Sequence, residues 1–228
     1  MVACFYRSEE RIFWPRYEAV APMGLPVLKV ALPRNYSPRR LKRTAERLYR
    51  RGLRRFLPGD PGLDPAPLVP VSPLPLLRAK GAELALALLS GLPPRERRIA
   101  LRGGAAGPEA WAIAEDLCPR VGALLLDFDR GEETLAHHLR QRFGAAPLHL
   151  GQGQGPQAAV ELDFRPASVP QTLRLWGEPD LLGLTLSPGE PLPLLELLWE
   201  TGRVELKDLR VNGLDRRAEN TYNNRTVL

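Results

Sequence analysis

Cysteine is nearly absent from this chain. Cys4 and Cys118 are the only two in 228 residues and lie 114 positions apart, so neither a disulfide framework nor a thiolate metal knuckle is expected. No apolar leader opens the sequence, and a reducing, cytoplasmic setting is the expectation. Long hydrophobic runs are missing as well. The longest purely apolar stretch, Leu84 to Leu89, is closed by Glu83 and Ser90 and falls far short of the roughly 18 residues that cross a bilayer, so no membrane partner is expected. Histidine is scarce: His137 and His138 point in different directions from one helix, and His149 is distant from both. No G-x-S-x-G elbow, P-loop, H-E-x-x-H or Tyr-x-x-x-Lys pair occurs, which leaves no catalytic residue to name.

What is present describes a folded chain. At 44% hydrophobic and 25% charged it is neither disordered nor collagen-like, and a chain this long buries roughly 70–75% of its unfolded surface. Four lysines stand against twenty-eight arginines, and the net charge is +6. That charge is local. Residues 39–55 hold nine basic side chains (Arg39, Arg40, Lys42, Arg43, Arg47, Arg50, Arg51, Arg54 and Arg55) and one acid, Glu46, so the remainder of the chain is slightly acidic.

Residues 2–17 read as a β-hairpin around Ser8-Glu9-Glu10 and hold five of the fifteen aromatics, Phe5, Tyr6, Phe13, Trp14 and Tyr17. Aromatics in a short hairpin are expected to pack, although they would also offer stacking surface. A strand at 28–32 is followed by Ser37-Pro38, a capped helix start. Leu41, Ala45, Leu48 and Gly52 share one face of that helix, and a strand follows at 53–57. The prolines of 58–75 exclude a helix and make either a domain linker or ordered coil along a sheet edge. A helix over 76–89, buried on more than one side, comes next.

From residue 98 strands and helices alternate: strand 98–101, helix 108–117, strand 123–126, helix 132–143, strand 148–150. Short joints between them imply a parallel sheet with crossover helices. Further strands are expected at 158–164, 173–176 and 182–186, and a helix at 194–199. The fold class is therefore α/β, a mainly parallel Rossmann-like sheet flanked by helices, with a smaller N-terminal α/β part containing a hairpin. The expected division is 1–72, 73–214 and a polar tail, 215–228, with the first boundary somewhere in 58–75.

Between the first strand and its helix stands Arg102-Gly103-Gly104-Ala105-Ala106-Gly107, and Asp127 ends the next strand 20 residues beyond Gly107. Residues 98–150 resemble, at superfamily level, the first half of a Rossmann dinucleotide-binding domain of the kind in shikimate-dehydrogenase-like oxidoreductases. The resemblance implies a phosphate at the helix N-terminus beside Gly103, Gly104 and Gly107, and a ribose hydroxyl on Asp127. It implies NAD as cofactor and, if the chain is an enzyme, an NAD-dependent oxidoreductase. Arg102 occupies the place of the first glycine, where a guanidinium either crowds the turn or clamps a lone phosphate.

Leu125-Leu126-Asp127-Phe128-Asp129 is similar to the D-x-D pair of haloacid-dehalogenase-like phosphatases, but Arg130 and Gly131 follow where those enzymes carry a small residue and Thr or Val. Gly151-Gln152-Gly153-Gln154-Gly155 precedes a strand and reads as a connector. Two functions are thus expected from different classes. One is an NAD, nucleotide or phosphorylated-ligand site at 103–107, in a degenerate oxidoreductase or a binding module. The other is a non-enzymatic protein that binds nucleic acid or an acidic protein through the arginine helix, with Arg39, Arg43, Arg47 and Arg50 as contacts.

Overall fold

A computed structural model describes residues 1–60, 62–149, 158–164, 172–174 and 181–212. In chain order the first elements are β1 (Val2–Arg7), β2 (Arg16–Val20), β3 (Val27–Leu32), α1 (Pro38–Arg50), β4 (Arg55–Leu57) and β5 (Val69–Pro70). Then come α2 (Leu74–Ala79), α3 (Gly81–Leu88), β6 (Arg98–Gly103), α4 (Pro108–Leu117), β7 (Ala123–Phe128), α5 (Glu132–Phe143) and β8 (Leu148–His149). The last are β9 (Val160–Asp163), β10 (Thr172–Arg174), β11 (Thr185–Leu186), α6 (Leu192–Glu200) and β12 (Val211–Asn212). They form two compact units, 1–73 with 190–205, and 74–189 with 206–228. The segment 190–205, which the sequence pattern assigned to the second unit, groups with the first.

The first unit is a five-stranded sheet in the order β2-β3-β1-β4-β5, parallel except for β2. Its helix α1 is capped by Ser37, whose Oγ accepts from the Arg40 N–H at 3.4 Å, and Leu41, Thr44, Ala45 and Leu48 are buried. Three of these meet Ala3, Phe5, Val30 and Leu32 of the sheet in one apolar core. Gly52 lies past the helix end at φ +96°, where it turns the chain rather than extending the helix face.

The hairpin expected at 2–17 is not formed. Val2, Ala3 and Phe5 are buried, so β1 takes a central place and pairs in parallel with both β3 and β4. The hairpin of this unit is β2 with β3, joined by a tight turn at Pro22–Gly24 in which Met23 and Gly24 have φ of +47° and +76°. In the proline-rich segment Val69–Pro70 forms the edge strand β5, paired in parallel with β4, and the boundary between the units follows at 73.

The second unit holds a wholly parallel sheet in the order β10-β9-β6-β7-β8. From β6 the chain steps outward on one side through β7 to β8, then returns to β9 on the other side. This is the strand order of a Rossmann-like α/β fold, with its switch point between β6 and β9. Strands β6 and β7 read as continuous apolar runs because both faces are covered: Ile99, Ala100, Leu101, Leu124, Leu125 and Leu126 are all buried. The helix expected over 76–89 is broken into α2 and α3 at Lys80, whose φ is −95° and ψ 2°. Its buried ammonium pairs with Glu83 at 2.8 Å, and Gly81 follows at once. Only 185–186 of the strand expected at 182–186 is extended, since Leu182 and Gly183 turn at φ of +50° and +81°. The loop 151–155 and residues 150, 175–176 and 215–228 lie outside the described residues.

Helices α4 and α5 are clasped by Glu115, which meets Nε2 of His138 and Nη1 of Arg142 at 2.7 Å each. The hydrogen bond with His138, opposed in part by desolvation and helped by the charge of Arg142, holds the Glu115 carboxyl below its ordinary range. A depressed carboxyl stabilises the fold above its unfolded pKa and loses that contribution as pH falls through its folded value. Glu115→Gln is therefore expected to lower the melting temperature at about pH 7, and thermal melts of the two proteins should draw together as pH falls through the acid range. Backbone crowding makes a second test. A Cβ at Gly122 would lie 2.0 Å from the Arg95 carbonyl oxygen, whereas one at Gly91 meets nothing within 4 Å. Chemical denaturation should show Gly122→Ala costing about 3 kcal/mol or more and Gly91→Ala almost nothing.

Candidate functional site

Strand β6 does not stop at Leu101, and that extension changes what Arg102 does. Arg102 is still inside the strand, in register with Asp127 of β7 on one side and Asp163 of β9 on the other. Residues opposite one another in parallel strands project from the same face, so the guanidinium lies among carboxylates. Its Nη1 donates to Glu161 Oε2 at 3.1 Å, and its Nε is 3.0 Å from Asp127 Oδ2, an ion pair without hydrogen-bond alignment. Arg102 thus sits beside Asp127, and the pair ties the ribose-binding candidate to its own sheet. Glu161 and Asp163 were not among the sequence candidates. Their signal was the alternation at 158–164, which set both acids on one face of a strand without saying which strand they would neighbour.

Gly103 ends the strand, in register with Phe128 of β7, and the turn follows at Gly104. A Cβ on Gly103 would come within 2.8 Å of the Phe128 ring, so packing requires this glycine. The other two are unforced: a Cβ on Gly104 would be 3.7 Å from Asp129 Oδ2, and one on Gly107 meets nothing within 4 Å. The turn after β6 is bonded to the turn after β7, with the Ala106 N–H on the Arg130 carbonyl at 2.9 Å and the Asp129 N–H on the Gly103 carbonyl at 3.2 Å. The Trp111 indole N–H braces it from α4 by donating to the Ala106 carbonyl at 3.0 Å.

Helix α4 starts from Gly107, which supplies no side-chain cap, with Pro108 in the first turn. Its first N–H groups therefore face outward with the positive end of the helix dipole behind them. They open on a cleft of about 420 Å³ bounded by Gly104, Gly107, Pro108, Glu109, Phe164 and Arg78. Arg78 projects from α2 and pairs with Glu109 at 2.9 Å. Nothing in the sequence pointed to Arg78, because only tertiary packing brings α2 to this turn. The cleft offers backbone donors, a helix N-terminus and one guanidinium, which is chemistry suited to holding an anion.

No family model and no curated protein matches this chain. Among solved structures, the L-tryptophan dehydrogenase of Nostoc punctiforme is similar at 15% identity with a TM-score of 0.33. The alignment covers 61% of this chain and 44% of that one, so this chain spans less than half of that structure's length. At such a level the fold is defined by the strand order itself.

A second cleft, of about 430 Å³, lies in the first unit and is mainly apolar, with Cys4 and Lys29 in its wall. Burial pushes the Cys4 thiol up, against the lowering charge of Lys29, and burial does the same to Cys118. Both thiols are protonated at neutral pH and poor nucleophiles. The three glycines are separable by stability. Gly103→Ala is expected to cost about 1–3 kcal/mol in urea unfolding, while Gly104→Ala and Gly107→Ala stay within about 0.5 kcal/mol. Equal costs at all three would contradict this geometry.

Proposed function

We propose that the second unit binds a nucleotide, seating a diphosphate against Gly104–Gly107 and the N-terminus of α4, with NAD or adenosine diphosphate as the ligand class. The observation that carries this reading is a glycine turn and an uncapped helix start at the switch point of a Rossmann-ordered sheet, open to a cleft of about 420 Å³. In that position Gly104 corresponds to the glycine whose bare backbone lets phosphate approach. Arg78 supplies the charge, exchanging its partner Glu109 for a phosphate oxygen.

The ribose end is more constrained. Asp127 keeps about one-third of its side-chain surface exposed, so a hydroxyl can still reach it beside Arg102. Because Asp127 and Glu161 together outnumber Arg102 in charge, a 2′-phosphate is disfavoured there.

Calorimetric titration of the full chain with NAD, adenosine diphosphate, NADP and inorganic phosphate tests the reading. NAD and adenosine diphosphate should bind, and NADP should bind about tenfold or more weakly. Gly104→Ala should cut the affinity at least about tenfold with the melting temperature almost unchanged. Heat from none of the four ligands, or an affinity indifferent to Gly104→Ala, would remove the nucleotide site from this turn.

A further inference from the structure

Of the nine basic side chains in 39–55, two are engaged. Arg54 stacks on the Tyr49 ring at 4.1 Å and donates to the Tyr49 carbonyl, and Arg55 pairs with Glu200. The other seven, Arg39, Arg40, Lys42, Arg43, Arg47, Arg50 and Arg51, are exposed and form no ion pair among the described residues. Arg39, Arg43, Arg47 and Arg50 recur every three or four residues opposite Leu41, Ala45 and Leu48, which puts one cation on each turn, about 5.4 Å apart along the axis. Mutual repulsion makes such a row costly unless a polyanion neutralises it.

Exposed aromatic side chains stand in the same unit, and they are not packing. Phe5 is the one member of the N-terminal aromatic set that enters the core, edge-on to Phe56. Phe13 and Trp14 are 72% and 77% exposed in the loop between β1 and β2, and Tyr17 is exposed on β2. Arg11 lies over the Phe13 ring at 5.5 Å. This loop is joined to the entrance of α1: Arg34 donates to the Glu9 carbonyl at 2.8 Å, and residues 9–13 line a cleft of about 360 Å³ with Pro33, Arg34 and Asn35. Tyr17 is in register with Val30, whose side chain faces α1, so Tyr17 stands on the α1 side of the sheet.

We infer that the first unit binds single-stranded nucleic acid, with bases stacked on Trp14 and Phe13 and phosphates running along Arg39, Arg43, Arg47 and Arg50. Exposed planar rings in a loop joined to the start of a helix that carries a row of guanidinium groups match a partner that alternates planar bases with phosphates. An acidic peptide would use the cations and leave the rings in water. A bilayer would need apolar residues that α1 has already committed to the core, and the loop that would enter it carries exposed Glu9 and Glu10. The strand must be single, because bases in a duplex are already stacked on each other.

Fluorescence anisotropy with the full chain and a labelled RNA of about a dozen nucleotides, its duplex, anionic phospholipid vesicles and polyglutamate as probes tests this. The single strand should bind at about 50 mM salt, and more tightly than the duplex. Replacing Arg43, Arg47 and Arg50 with glutamine should reduce the log–log salt slope by about two, the share of three single-strand phosphates. Trp14→Ala should weaken binding about five- to a hundredfold and leave that slope unchanged, since stacking releases no counterions. All four positions are exposed, so circular dichroism should report a native fold in each variant. Equal affinity for the duplex, indifference to Trp14→Ala, or capture of the vesicles or polyglutamate without the RNA would each overturn the inference, as would no binding at all.

Discussion

A guanidinium with less than a fifth of its surface in water must be neutralised by its neighbours, and Arg102 meets this need across three strands. Asp127 on β7 and Glu161 on β9 hold it from either side of β6, which ties together the strands that flank the switch point. Everything at the candidate site follows from that clasp. It keeps Arg102 in the strand, delays the turn until after Gly103, and leaves Phe128 to fill the space a side chain on Gly103 would need. The turn that emerges is open on the α4 side and bonded to its neighbour on the other. Removing Arg102 would therefore take the guanidinium away from two half-buried carboxylates before it altered any ligand contact.

Where local chemistry decides, the sequence was legible. Helices α4 and α5 begin and end where Pro108, Leu117, Glu132 and Gly144 place them, because a proline in the first turn and a glycine at φ +65° after the last act within a few residues. The parallel sheet of the second unit was readable from its fully apolar strands and short joints. What was not readable was long-range partnership. Alternation around Ser8-Glu9-Glu10 suggested that residues 2–17 fold on themselves, but the apolar faces of β1 are better satisfied between β3 and β4. Segment 190–205 follows the same logic, since an apolar helix carries no mark of which sheet it will cover. At the site, Gly103, Gly104, Gly107 and Asp127 were visible as letters, while Glu161 and Arg78 were not, because strand order and the position of α2 are tertiary facts.

The two units solve the problem of charge in opposite ways. Around the switch point, acids and bases cross-neutralise, and Glu115, Glu132 and Glu161 each have a partner of opposite charge or a ring nitrogen. On α1 the basic side chains are displayed with Glu46 as the one acid of the helix, while the apolar stripe of the same helix is fully spent on Ala3, Phe5, Val30 and Leu32. Arginine suits both uses. Its flat, multiply donating head can be buried between two carboxylates, and on a surface it stacks on rings and forks toward phosphate. The excess of arginine over lysine thus has a consequence in each unit, whatever its origin.

A motif letter has meaning only relative to where the strand ends. In a Rossmann turn the first glycine is demanded by a tight bend, and reading Arg102 at that letter makes the turn look obstructed. Arg102 still has strand partners on both sides, however, so no bend falls there and no left-handed backbone is required. The demand for a missing side chain moves by one residue to Gly103, and its cause changes from backbone conformation to the Phe128 ring. Gly104 and Gly107 are then the glycines of the turn that neither packing nor backbone conformation explains, and both line the cleft at the start of α4 beside Arg78. A bare backbone without a structural reason, placed where helix N–H groups point outward, is the residue pattern that contact with an anion accounts for.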